Sequence, residues 1–178
     1  NQNQSTEENA SVLKRIKERA DEAGLATVAY ISMAFGNPYG DAWSEQKVAD
    51  AAGLIASMGI GCVSLADTIG AADPDLIHRV VTAVWRNDTE IGVHLHSTRA
   101  GAADRVLAAY DAGCRRFDAA MGGLGGCPFA QDKLVGNIAT EEVCRALQQR
   151  GVTPSFDGRL SEIDTMTAAI RDEFGIER

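Results

Sequence analysis

The chain has 178 residues, of which 45% are hydrophobic and 24% charged. This is ordinary globular usage and enough to bury a core. Lys+Arg 17 against Asp+Glu 25 gives a formal charge of −8, with no basic cluster of the kind a nucleic-acid face requires, and no apolar run reaches the ~18 residues of a membrane span.

Residues 5–23 read as an amphipathic helix, capped by Ser5 or Thr6, with Glu7 and Glu8 in the first turn and Gly24 past its end. The run LATVAYIS at 25–32 is a buried strand, and FGNPYG at 35–40 is a loop. A helix over 44–58 places Val48, Ala51, Ala52, Ile55 and Met58 at helical spacing. GCVSLAD at 61–67 is the second strand, and Asp73-Pro74 opens a helix over 74–86. The third strand is expected at 91–96, followed by a helix over 100–112 that Gly113 closes. The fourth strand runs over 115–121. A glycine-rich loop fills 122–139, Thr140 caps a helix to about 150, and a last helix covers about 160–174.

Strands alternating with helices predict an α/β protein with parallel strands. A complete (β/α)8 barrel takes about 250 residues, and four strands occupy this chain of 178. The element order fits either an open sheet or half a barrel, treated as a single domain over 1–178.

The four cysteines, Cys62, Cys114, Cys127 and Cys144, show neither CxxC spacing nor a disulfide framework. Reduced thiols in the cytoplasm are the expectation. The polar start Asn1-Gln2-Asn3-Gln4 lacks the regions of a signal peptide.

Several residues could carry chemistry. His94 and His96 are two apart on a strand, so both imidazoles share one face at its C-terminal end, where α/β proteins build their sites. They are either a metal pair or two unrelated histidines. Asp67 closes the second strand on the same rim. It is a general base, a metal ligand, a substrate contact or a turn cap. Cys127 lies in the loop Gly122-Gly123-Leu124-Gly125-Gly126-Cys127-Pro128, which offers a thiol little apolar packing; it suits a nucleophile or an acid/base group. The other three cysteines read as buried hydrophobes. Asn137 could give its carbonyl oxygen to a hard cation, or form a turn. A mixed nitrogen and oxygen ligand set suits Mn2+ better than Mg2+, without deciding between them.

Together, YISMAFGNPYG, SLADTIG, VHLH and especially GGLGGCPFAQDKLVGNIATEE resemble hydroxymethylglutaryl-CoA lyases, within the larger group of metal-dependent barrel lyases and acyl-CoA aldol synthases. The resemblance implies a (β/α)8 TIM barrel of which this chain carries about the last four βα units. It implies a divalent cation, Mg2+ or Mn2+, held by His94, His96 and Asn137, with Cys127 and Asp67 catalytic. Arg99 and Lys133 become candidates for the phosphates of an acyl-CoA. The implied reaction cleaves 3-hydroxy-3-methylglutaryl-CoA to acetyl-CoA and acetoacetate, as in leucine degradation.

The family's opening strand carries an Arg-Asp pair that nothing here matches, and Ser97 stands where the family usually has an aspartate. An N-terminal half missing from the chain, or a homo-oligomer of halves, is expected to complete the barrel. The alternatives are an isopropylmalate- or citramalate-type synthase, against which the Cys-Pro loop speaks, and a non-catalytic half-barrel that binds or assembles.

Overall fold

A computed structural model describes residues 5–125, 136–153 and 159–175. Cys127 and Lys133 lie outside the described residues. Helix α1 (Thr6–Glu22) opens with a full capping box: Ser5 Oγ accepts from the Glu8 amide, and Glu8 accepts from the Ser5 amide at 2.7 Å. Then come β1 (Ala29–Ile31), α2 (Glu45–Ser57), β2 (Cys62–Ala66), α3 (Pro74–Val84) and β3 (Glu90–His94). A 3-10 turn (Arg99–Gly101) leads into α4 (Ala102–Asp111), followed by β4 (Arg116–Asp118), a second 3-10 turn (Met121–Gly123), α5 (Thr140–Gln148) and α6 (Leu160–Phe174).

The expected elements are therefore all present, with β1 and β4 shorter than their apolar runs suggest. Among the described residues these two are the outer strands, and each has a pairing strand on one side only. Ladder hydrogen bonds define the element, so a run paired on a single side ends sooner.

All three pairings are parallel and the strand order is β1-β2-β3-β4. Each strand lies beside its neighbours in sequence, with no reversal of order. A doubly wound open sheet requires a reversal and helices on both faces; a barrel requires neither. Helices α2, α3, α4 and α5 contact one another in succession, forming one outer layer. The fold is thus a partial barrel, which resolves the choice left open by the element order.

Side-chain alternation divides the sheet into two unlike faces. Val63, Leu65, Ile91 and Val93 point outward into a buried cluster with Ile55, Ile77, Val80, Val84 and Val106. On the other face the register aligns Tyr30, Ser64, Gly92 and Arg116, and one step further Ala66, His94 and Asp118. Cys62, Cys114 and Cys144 are buried, as expected. Burial pushes the Cys114 thiol up to about 12. Among the described residues no helix is long and apolar enough to cross a membrane.

Candidate active site

The inner face reaches its chemistry at the C-terminal ends of β2 and β3. β3 stops at His94, Leu95 turns into the outer core, and His96 returns to the inner face. The alternation therefore outlasts the strand and brings the two rings together, with centroids 4.9 Å apart and planes at 81°.

Beyond the strand, the segment 136–139 takes over the pairing. His96 and Asn137 form an antiparallel bridge, with the Ser97 amide donating to Gly136 O at 3.1 Å. Asn137 Nδ2 donates to Leu124 O at 2.9 Å, which fixes the amide and leaves Oδ1 as its acceptor. The glycines make this approach possible. At Gly123, φ is 66°, and a Cβ there would stand 2.8 Å from Asn137 O.

Both imidazoles are oriented in one way. His94 Nδ1 lies 3.1 Å from Asp118 O, and His96 Nδ1 lies 2.7 Å from Asp67 O. A main-chain carbonyl only accepts, so Nδ1 carries a proton in each ring, and in the neutral imidazole the lone pair is on Nε2. That is the tautomer a metal-binding histidine needs, with the other nitrogen held by a backbone oxygen. The donor set of two such imidazoles and a neighbouring amide oxygen therefore fits a divalent cation of the Mn2+ or Mg2+ kind. Among the described residues no cluster of three or more His, Cys, Asp or Glu could hold a metal, so an anionic ligand would have to come from elsewhere.

Asp67 is 1% exposed. Its amide donates to His94 O at 2.9 Å, and Oδ1 accepts from the amides of Ala71 at 3.0 Å and Ala72 at 3.3 Å. This is turn-cap geometry, one of the four roles open to it in the sequence. Burial pushes its pKa above the usual carboxylate value, against the pull of the two amides, His96 and Arg105.

Arg99 is not beside these groups. Its side chain is 84% exposed, with Nη2 3.5 Å from Glu142 Oε1. It lines a cavity of about 490 Å3 together with Asn137, Glu141, Arg145 and Arg171 but with neither imidazole.

Two features have no counterpart in the sequence reading. Asp118 closes β4 as Asp67 follows β2, and this shared strand-end position was the available signal. Glu141, 3% exposed, takes the Gly122 amide at 3.0 and 3.1 Å and the Thr167 hydroxyl at 2.9 Å, while Arg171 Nη2 donates to Gly122 O at 2.5 Å. Together they buckle α6 onto the root of the loop. At Gly122, φ is 61° and a Cβ would meet Thr167 Cγ2 at 2.1 Å, so only glycine fits. In the sequence Glu141 is indistinguishable from any acidic residue in a helix first turn.

Fold and site thus define part of a (β/α) barrel with paired imidazoles on its C-terminal rim. The chain belongs to the HMGL-like family, which matches residues 1–168. The hydroxymethylglutaryl-CoA lyase of Bacillus subtilis (strain 168) is 37% identical over 154 residues, 85% of this chain and 51% of that protein. The (R)-citramalyl-CoA lyase of Chloroflexus aurantiacus is 37% identical over 136 residues, 75% of this chain and 43% of that one. A crystal structure of the Bacillus subtilis HMG-CoA lyase superposes with a TM-score of 0.87 at 34% identity, covering 98% of this chain and 58% of that chain. The chain spans about half the length of the curated relatives it matches.

Proposed function

We propose that this chain supplies the histidine-bearing half of a divalent-metal-dependent carbon–carbon lyase acting on 3-hydroxy-3-methylglutaryl-CoA. The observation that carries the reading is the pair of imidazoles, each with Nδ1 on a carbonyl, with Asn137 bridged to His96 along the backbone. His94, His96 and Asn137 would hold Mg2+ or Mn2+, which when bound supplies Lewis-acid polarisation of substrate oxygen.

The remaining steps belong to side chains. A base takes the proton of the tertiary hydroxyl, whose oxygen becomes the carbonyl of acetoacetate, and Asp67 reaches that proton by releasing the Ala71 and Ala72 amides. The bond between that carbon and the thioester's α-carbon breaks, and its electron pair passes into the enolate of acetyl-CoA. Cys127 returns a proton to that α-carbon. Arg99 and Lys133 contribute to the CoA phosphates. A complementary set of four βα units completes the barrel, as another segment or a second chain, and brings an anionic ligand and a cation facing the enolate.

The test combines purified protein, Mn2+ and 3-hydroxy-3-methylglutaryl-CoA, with Cys127→Ala and His94→Ala controls. Metal-dependent acetoacetate that both controls lose supports the reading. A protein that binds no Mn2+ by paramagnetic resonance overturns it. The similarity to a citramalyl-CoA lyase favours a second substrate, citramalyl-CoA, recognised by pyruvate in place of acetoacetate.

A further inference from the structure

Each imidazole is held by the main-chain carbonyl of an aspartate, and each aspartate's own carboxylate is fastened elsewhere. For His96 the aspartate is Asp67, tied to the Ala71 and Ala72 amides. For His94 it is Asp118, and there the fastening draws on the whole sheet. Asp118 Oδ2 accepts from Tyr30 Oη of β1 at 2.9 Å and from Ser64 Oγ of β2 at 2.8 Å. Arg116 of β4 brings Nε to 3.4 Å from Oδ1. The Asp118 carbonyl takes His94 Nδ1 of β3. One residue of β4 therefore collects a hydrogen bond from each of the other three strands.

The neighbourhood is shaped to permit this. Gly92 stands between Ser64 and Arg116 in register. A Cβ there would lie 3.1 Å from Arg116 Cδ and 3.2 Å from Ser64 Oγ. Ser64 is fully buried, so its hydroxyl needs this acceptor. β4 is an outer strand of three residues, with a ladder on one side only. The next main-chain bonds along the chain are those of Ala120 with Ile138 and Thr140, so at the carbonyl itself the anchor is the Asp118 side chain.

We propose that Asp118 is the positioning residue for His94: its carboxylate, gripped by Tyr30 and Ser64, fixes the end of β4 so that its carbonyl holds His94 with Nδ1 protonated and Nε2 open. The inference rests on the lyase reading only for the use to which that nitrogen is put. Strand β4 acts through its backbone, and the carboxylate never touches the imidazole.

Long-range proton–nitrogen correlation of the imidazoles tests this on the metal-free chain, which has three histidines. His94 and His96 are expected to show Nδ1–H tautomers. In Asp118→Ala the His94 signal is expected to move toward a mixture of tautomers while His96 is unchanged. Asp118→Asn, which keeps an acceptor for the two hydroxyls, retains the parent pattern. Mn2+ affinity is expected to fall about tenfold in Asp118→Ala, the lower end of the effect of losing an outer-shell partner. If Asp118→Ala does not fold, the double variant Tyr30→Phe/Ser64→Ala releases the same carboxylate and carries the test. A folded variant of either kind whose His94 signal matches the parent's overturns the proposal. A parent chain that binds no Mn2+ overturns the lyase reading instead and leaves the tautomer result decisive.

Discussion

The two faces of the sheet are made from the same strands and do opposite work. Outward, Val63, Leu65, Ile91 and Val93 meet the helices, and position is set by volume and exclusion of water. Inward, Tyr30, Ser64, His94, Arg116 and Asp118 are positioned by directed hydrogen bonds. A hydrophobic contact tolerates small slides, whereas a hydrogen bond loses strength steeply off axis. The apolar face holds the chain folded, and the polar face holds its imidazoles to one tautomer. Between His94 and His96, a single residue, Leu95, belongs to the first face while its neighbours belong to the second.

Substitutions can separate these roles. The largest expected effect is on the inner face: His96→Ala should lower metal affinity and acetoacetate release by at least about 100-fold, with a stability loss of about 1–3 kcal/mol for the bond to Asp67 O. Mn2+ titration beside a melt would show whether function and stability part there. On the outer face, Leu65→Ala removes a side chain with 0% exposure and should cost about 2–5 kcal/mol in urea unfolding. The folded fraction should keep its Mn2+ affinity; a matched loss of affinity would mean that the faces are coupled. Ser64→Ala, one residue away but pointing inward, should cost about 1 kcal/mol, because Tyr30 still serves Asp118.

Smaller effects sharpen the picture. Cys114, its thiol pushed up to about 12 by burial, should resist alkylation at pH 8 in the folded protein and react once urea exposes it. Early reaction would show that the helix layer opens locally. Far from the site, Arg150 pairs with Asp111 at 2.7 Å and holds its carboxyl below the usual range. A depressed carboxyl adds stability above its unfolded value, and that contribution disappears as pH falls through the folded value. Arg150→Ala should therefore lower the melting temperature slightly at pH 7, with the difference closing on acidification.

Much of this was legible in the residues. Helices announced themselves through caps at Ser5 and Asp73, whereas Thr140, expected as a cap, is the first residue of α5 behind Ala139, which has no side-chain cap bond; the His-x-His spacing sufficed to put both rings on one face. What local pattern does not encode is partnership across the sheet. Nothing near Asp118 in the sequence says that hydroxyls 88 and 54 residues away will meet its carboxylate. Asp67 looked like a rim acid, and only its burial and its bonds to Ala71 and Ala72 reveal the cap. Arg99 follows VHLH in the sequence, and the turn after the strand sets it against the Glu142 carboxylate.

The outer strands, finally, have a consequence for handling the protein. Each offers three residues, and β4 carries a guanidinium and a carboxylate among its three. An unpaired strand is a template for another chain, and shortness and charge are the common defences. The half-sheet thus exposes little continuous backbone to a stranger. It should stay dispersed where a longer, apolar edge would seed fibres, a property open to measurement by light scattering during prolonged agitation.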